Sequence, residues 1–150
     1  MSRAAPHARR LLLAALLFAP PVLAQPGAPR LVVQLPGACV GALRLGPREV
    51  PCAPPGATYS VLEDGRAFVL MPFGPDSGIN FVGSRDSQPT PDTYHLVLDH
   101  LRIVSDGRAR GLRARGECQA RLSPTGAWRD LGCAARAEDG QLYAFRFTPR

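Results

Sequence analysis

The segment RARGECQARL, residues Arg113–Leu122, alternates polar side chains with small or apolar ones at a period of two. The polar face carries Arg113, Arg115, Glu117, Gln119 and Arg121. The opposite face carries Ala114, Gly116, Cys118, Ala120 and Leu122. Successive side chains of a β-strand point to opposite faces, so this alternation is typical of a strand with one wet and one buried face. The segment therefore predicts a strand of a two-sided antiparallel sheet.

The following segment, Arg129–Ala137, repeats this pattern, which predicts a second strand. Folding the two about the intervening turn sets Cys118 opposite Cys133 on the inward face. It also sets Arg121 opposite Asp130 on the outward face, which is a favourable cross-strand pair. Directly opposed residues satisfy the Cα separation of about 4.4–6.8 Å that a disulfide requires. Because the turn contains a proline, which donates no ladder hydrogen bond, a bulged turn that slips this register by one residue is the alternative.

Apolar runs of strand length alternate with turn signals along the rest of the chain, a rhythm typical of a β-sandwich or β-barrel. The expected strands are Thr58–Glu63, Arg66–Phe73, Gly78–Ser84, Tyr94–Val104, Arg113–Leu122, Arg129–Ala137 and Gln141–Thr148. The Pro-rich lead-in at 25–36 contains a candidate first strand, LVVQL, and the segment DSQPTPDT, Asp86–Thr93, is expected to form an ordered loop. The predicted fold is all-β, one compact antiparallel sandwich or barrel over residues 37–150.

The first 24 residues have the pattern of a secretory signal peptide, with a basic head of three arginines and the apolar run Leu11–Ala19. The small residue Ala24 marks the expected cleavage point, so the mature chain would begin at Gln25. The apolar run is too short for a membrane span, which needs about 20 residues. The first cysteine is Cys39, so no lipid anchor is expected at the cleavage point. We therefore expect a periplasmic or secreted protein without stable membrane insertion.

The expected mature chain has a small positive net charge. Three of the 18 basic residues lie in the predicted leader and all 12 acidic residues follow it, which leaves a net charge of +3. A nucleic-acid-binding protein would carry a concentrated basic stripe, so this class is not expected. Every basic residue is arginine, and alanine, glycine and proline are abundant, which is typical of a GC-rich bacterial genome.

Four cysteines follow the leader: Cys39, Cys52, Cys118 and Cys133. An even count in an oxidising compartment favours two disulfides, whereas a zinc site needs cysteine pairs two to four residues apart. A degenerate repeat relates the two halves of the chain, each with two cysteines, an acidic-Gly turn and an aromatic-rich strand. If this repeat is more than coincidence, it favours the pairs Cys39–Cys52 and Cys118–Cys133 over the other two connectivities.

The most concentrated group of charges comprises Arg108, Arg110, Arg113 and Arg115. Guanidinium groups suit planar anions, so this group is a candidate site for phosphate, carboxylate or an acidic envelope polymer. The alternative is a solvated strand face that keeps the protein soluble and discourages edge pairing.

Catalytic and metal-binding patterns are weak in this chain. His95 and His100 lie five residues apart in one expected strand, so they point to opposite faces unless a bulge intervenes. Apolar residues on both faces of that strand indicate a central strand or a mid-strand bulge. Ser77 and Ser87 lie in no nucleophile elbow, and Asp86–Thr93 lacks the spacing of a calcium loop. No cofactor or metal site is predicted.

The fragment SGINF, Ser77–Phe81, resembles the Ser-Gly loop by which small periplasmic lysozyme inhibitors enter a glycosidase cleft. The resemblance covers five residues and implies inhibition of an envelope-directed enzyme.

The sequence favours a non-enzymatic binding module of the cell envelope, whose partner is an envelope protein or an anionic polymer. One alternative is a small periplasmic hydrolase that uses Asp99 and His100. The other is the inhibitor that the SGINF fragment implies.

Overall fold

A computed structural model describes residues 28–150, so the predicted leader and its cleavage point lie outside the described residues. The described residues form ten strands and no helix. The strands are β1 (Pro29–Cys39), β2 (Leu43–Leu45), β3 (Arg48–Val50), β4 (Gly56–Leu62), β5 (Ala67–Gly74), β6 (Ser77–Thr90), β7 (Thr93–Ser105), β8 (Arg108–Leu122), β9 (Trp128–Ala137) and β10 (Leu142–Pro149). The prediction of an all-β fold is confirmed.

All ten strands belong to one sheet with the order β1-β4-β5-β6-β7-β8-β9-β10-β2-β3. Each pair of neighbouring strands is antiparallel, and β1 also pairs with β10, which closes eight strands into a barrel. The short hairpin of β2 and β3 extends the sheet from the edge of β10. Of the two predicted architectures, sandwich and barrel, the chain adopts the barrel, in which closure removes most exposed strand edges.

The barrel interior is filled by the inward face of each strand. Its largest fully buried side chains are Phe81, Phe147, Leu43, Met71, Ile79, Leu96, Leu101 and Leu131. Phe81 meets Phe145 edge-on with a centroid separation of 5.4 Å, a favourable geometry for aromatic rings. On the inward face of β8 and β9 most residues are small, so the two strands approach closely there: Ala114, Gly116, Ala120, Ala135 and Ala137.

The predicted register between β8 and β9 is confirmed. Cys118 lies opposite Cys133 and forms a disulfide with it inside the barrel. Arg121 lies opposite Asp130, and its Nη2 is 2.6 Å from the carboxylate Oδ2. A register shift does occur, but it falls beyond this pair, where Leu122 is opposite Trp128. The turn therefore accommodates its proline without disturbing the predicted pairs.

The second disulfide joins Cys39 to Cys52, as the repeat favoured. These two cysteines are not opposed in a hairpin, however, because Cys39 pairs with Phe147 of β10 and Cys52 lies in the loop before β4. The bond encloses the β2–β3 hairpin instead. Two disulfides among the described residues are typical of an oxidising, non-cytoplasmic compartment.

The segment Asp86–Thr93 was expected to be a loop, and this prediction is wrong. β6 continues to Thr90 and pairs with β7, so the two strands form an arm whose turn lies at 91–92. The pairing of β5 with β6 stops at Gly83, so the outer half of β6 is an edge strand. Proline is tolerated on an edge because no neighbour needs its missing N–H, which explains Pro89 within the strand.

Candidate functional site

The outer surface of β6 to β9 forms a groove of about 900 Å³ that is rich in arginine. Four arginines line it, and together they are called the outer arginine face: Arg85, Arg113, Arg115 and Arg136. They come from β6, β8 and β9, which antiparallel pairing brings side by side. The groove also contains the exposed apolar side chain of Val97 between the arginines.

Two of these arginines face each other directly. Arg115 of β8 lies opposite Arg136 of β9 in the ladder. Directly opposed residues have Cβ atoms about 4.5–5.5 Å apart, so like charges there repel and destabilise the sheet. Arg136 directs its Nη1 to the carbonyl oxygen of Gly140 at 2.7 Å, which leaves its positive charge uncompensated.

The carboxylates in the groove do not neutralise it. Glu138 is 3.7 Å from Arg113, and both side chains are largely exposed, so this ion pair is weak. Asp99 contacts the ring of its neighbour His100 instead of an arginine. Within residues 28–150, neither Arg85 nor Arg115 has a carboxylate within 4.0 Å. Their planar guanidinium donors are therefore available to an external carboxylate or phosphate.

The structure divides the four arginines that the sequence grouped together. Arg113 lies opposite His100 on the outer surface, and Arg115 shares its side of β8. Arg110 instead lies opposite Ile103, a core residue. Arg108 is two residues before Arg110 on the same strand, so it lies on the same inward side. Arg108 and Arg110 therefore lie at an end of the barrel and not in the groove of the outer arginine face.

A bulge at Asp99 decides where the two histidines point. The register of β7 with β8 shifts between Leu98 and His100, and Leu98 and Leu101 are both buried. The alternation of β7 therefore changes phase at the bulge, and His95 and His100 both lie on the outer surface although they are five residues apart. The mid-strand bulge is confirmed as the reason for apolar residues at both odd and even positions.

The two histidines lie beside different carboxylates. His100 contacts Asp99, while His95 is 3.9 Å from Glu117. His100 borders a groove of about 390 Å³ whose lining, within residues 28–150, includes no carboxylate, serine or cysteine. No group of three or more potential metal ligands occurs among the described residues.

A polar cluster that no sequence pattern predicted joins β4, β6 and β7. Tyr59 and Tyr94 are buried, their hydroxyl oxygens are 2.7 Å apart, and both hydroxyls lie 3.2–3.3 Å from Oδ2 of Asp86. Trp128 packs against both rings at centroid separations of 5.4 and 5.8 Å. Burial raises the pKa of Tyr59 to about 12 and also raises the pKa of Tyr94. The two tyrosine rings are buried, whereas Trp128 is half-buried and Asp86 is exposed, so the cluster links the core to the barrel surface and we assign it a structural role.

The serines and the SGINF fragment occupy strand positions. Ser77 begins β6, and Ile79 and Phe81 of the fragment are completely buried in the core. Ser87 lies opposite His95 in the β6–β7 arm. The fragment is therefore part of the barrel wall, and it offers no protruding loop of the kind that enters an enzyme cleft.

Comparison of the chain with protein-family models, with curated proteins and with solved structures gives no match. Within residues 28–150, no helix has the length and apolar character needed to cross a membrane.

Proposed function

We propose that this chain is an exported, non-enzymatic module of the bacterial cell envelope that binds an anionic polymer on the outer arginine face. The observation that carries the proposal is the direct opposition of Arg115 and Arg136. Like charges at opposed positions lower the stability of the sheet, and a bound anion removes that repulsion. An anion that bridges the two guanidinium groups would therefore bind there in preference to the rest of the surface.

The dimensions of the face favour an extended ligand over a single small anion. From β6 to β9 the arginines span three inter-strand spacings, which is about 14 Å at roughly 4.8 Å each. Arg113 and Arg115 are two residues apart along β8 and add a second direction. Repeated carboxylate or phosphate groups on one polymer could occupy several of these arginines at once.

Two features support export to an oxidising compartment. The first 24 residues have the secretory pattern, and export would deliver the chain to an oxidising compartment where disulfides persist. The two disulfides of the barrel fit that destination. The periplasm and the external medium both meet this description, and acidic polymers are present in the bacterial envelope.

The test measures binding of fluorescein-labelled poly-L-glutamate by anisotropy. The variant Arg115→Gln/Arg136→Gln removes the opposed pair. Arg121→Gln/Arg129→Gln is the matched control, because it removes two exposed arginines from the same strands outside the groove. We expect the first variant to bind about tenfold more weakly and the control to stay within about twofold of the parent, since ~1.4 kcal/mol corresponds to tenfold in affinity. An equal loss in both variants would mean that only net charge matters, and the proposal would fail.

A further inference from the structure

A second group of arginines meets at one end of the barrel. This end, called the lower end, is formed by the β2–β3 turn at 46–47 and the β7–β8 turn at 106–107. Three arginines converge there on a cavity of about 570 Å³, and they are called the lower-end arginines: Arg48, Arg108 and Arg110. β3 and β8 are separated by three strands in the sheet, so these side chains meet across space and not as ladder neighbours.

The register explains why these arginines gather over the barrel end. Arg110 lies directly opposite Ile103, and Arg48 lies directly opposite Leu45. Ile103 and Leu45 are buried in the core. Opposed residues of an antiparallel pair share a face, so both arginines are on the inward face of the sheet, just beyond the last core layer. Their aliphatic stems can cover the core while the guanidinium groups surround the cavity.

The charge of this cavity is unbalanced. Its lining contains three arginines and one carboxylate, Asp106, whose Oδ2 is 3.3 Å from the hydroxyl of Ser105. Within residues 28–150, no carboxylate lies within 4.0 Å of any lower-end arginine. Three guanidinium groups around one concave space provide convergent donors, whereas the outer arginine face takes its donors from three strands across the barrel surface.

We propose that the lower-end arginines form a separate site for a compact oxyanion, specifically a phosphate group. Guanidinium groups bind phosphate oxygens with paired, charge-assisted hydrogen bonds, and three of them can satisfy several oxygens of one tetrahedral anion. Ile103 gives the cavity an apolar floor, so the phosphate can carry an organic substituent. This phosphate site does not depend on the outer arginine face, and the inference stands even if no polymer binds to that face.

The phosphate could be free in solution or be the headgroup of an anionic phospholipid, and the same cavity would recognise either. The first arm of the experiment measures binding of inorganic phosphate by isothermal titration calorimetry at low ionic strength. The second arm measures co-sedimentation with phosphatidylglycerol vesicles, with phosphatidylcholine vesicles as the uncharged control. Binding in the first arm alone identifies a soluble phosphate ligand, and additional Arg48-dependent binding in the second identifies a lipid headgroup.

The variants are Arg48→Gln and Arg110→Gln, with Arg129→Gln at the opposite end of the barrel as the control. We expect phosphate affinity to fall about tenfold in each of the first two variants and to stay unchanged in the control. Only the first two variants remove a guanidinium group that donates hydrogen bonds to the phosphate. Asp106→Asn keeps a residue type that tolerates the φ of 51° at this turn. It removes the one carboxylate in the cavity, so its phosphate affinity should rise.

Failure of this site and failure of the proposed function have different signatures. The double variant Arg115→Gln/Arg136→Gln should lose poly-L-glutamate binding and retain phosphate binding. The inference is overturned if the parent binds neither phosphate nor phosphatidylglycerol vesicles. It is also overturned if Arg48→Gln and Arg129→Gln weaken phosphate binding equally.

Discussion

Arg115 of β8 lies directly opposite Arg136 of β9 on the outer surface of the barrel. The same two strands also contain a complementary pair, Arg121 and Asp130, with 2.6 Å between Nη2 and Oδ2. One strand pair therefore has an attractive and a repulsive charge pair on the same surface. If this face were only a solvent-exposed surface, the sheet would be more stable with an acidic residue in place of one of the opposed arginines. The repulsive pair therefore marks this end of the strands as the candidate site.

The first prediction concerns stability and the opposed pair. Arg115→Gln should raise the melting temperature at low salt, because it removes a repulsion of about 0.2–1 kcal/mol between opposed positions. Thermal unfolding followed by circular dichroism measures the change. Arg121→Gln is the matched control and should lower the melting temperature or leave it unchanged, because it removes an attractive pair. A lower melting temperature for Arg115→Gln at low salt would show that Arg115 stabilises the sheet.

The second prediction concerns the close approach of β8 and β9. A Cβ at Gly116 would lie 2.6 Å from Cα of Ala135, so Gly116→Ala must push the strands apart. We expect destabilisation of about 1–3 kcal/mol, the range for overpacking a core. Gly111→Ala is the control in the same strand, because nothing lies within 4 Å of its added carbon. Equal unfolding midpoints in urea for the two variants would contradict the predicted strand packing.

The third prediction concerns pH. Burial raises the pKa of Tyr59 to about 12 and also raises the pKa of Tyr94, whereas tyrosine in an unfolded chain ionises near ~10. Above that pH the unfolded state loses protons first, so the free energy of unfolding should fall as the pH rises from about 10 towards 12. Urea denaturation at a series of alkaline pH values measures the fall.

The control for this prediction is the double variant Tyr59→Phe/Tyr94→Phe, which cannot ionise at these positions. Its free energy of unfolding should fall less over the same pH range than that of the parent. Parallel curves for the two proteins would mean that other groups cause the alkaline loss of stability.

The fourth prediction concerns the disulfide inside the barrel. Cys118 and Cys133 are 15 residues apart, and a cross-link that closes a loop of this size contributes about 3 kcal/mol in the chain-entropy description. Cys118→Ala/Cys133→Ala should therefore lower the free energy of unfolding by about that amount, as measured by urea denaturation. A decrease below ~1 kcal/mol would mean that the unfolded chain gains little freedom when this bond is absent.

The strands with a strong period of two were predictable from the sequence. β8 and β9 each combine one polar face with one apolar or small face, and this pattern also set the correct register for Cys118 and Cys133. β2 and β3 were missed because three residues are too few to show a period. The outer half of β6 was missed because Pro89 is typical of a loop unless the strand lies on an edge.

The candidate site was predictable only in part. Arg113 and Arg115 were identified, but Arg85 and Arg136 are distant in sequence and reach the groove through strand pairing. The separation of Arg110 from Arg113 was visible in principle, because an odd spacing along one strand places residues on opposite faces. The tyrosine cluster depends on the closure of the barrel, which a linear pattern does not show.

Two-dimensional amide NMR spectra of the ¹⁵N-labelled mature protein, recorded during titration with poly-L-glutamate, map the surface that binds the polymer. We expect the largest shifts at the amides of Arg85, Arg115, Arg136 and their neighbours in the groove. Added salt should reverse these shifts, because exposed charges are screened within about 8 Å at physiological ionic strength. If the amides in this groove stay unchanged at a polymer concentration that shifts amides elsewhere on the barrel, the polymer does not bind on the outer arginine face.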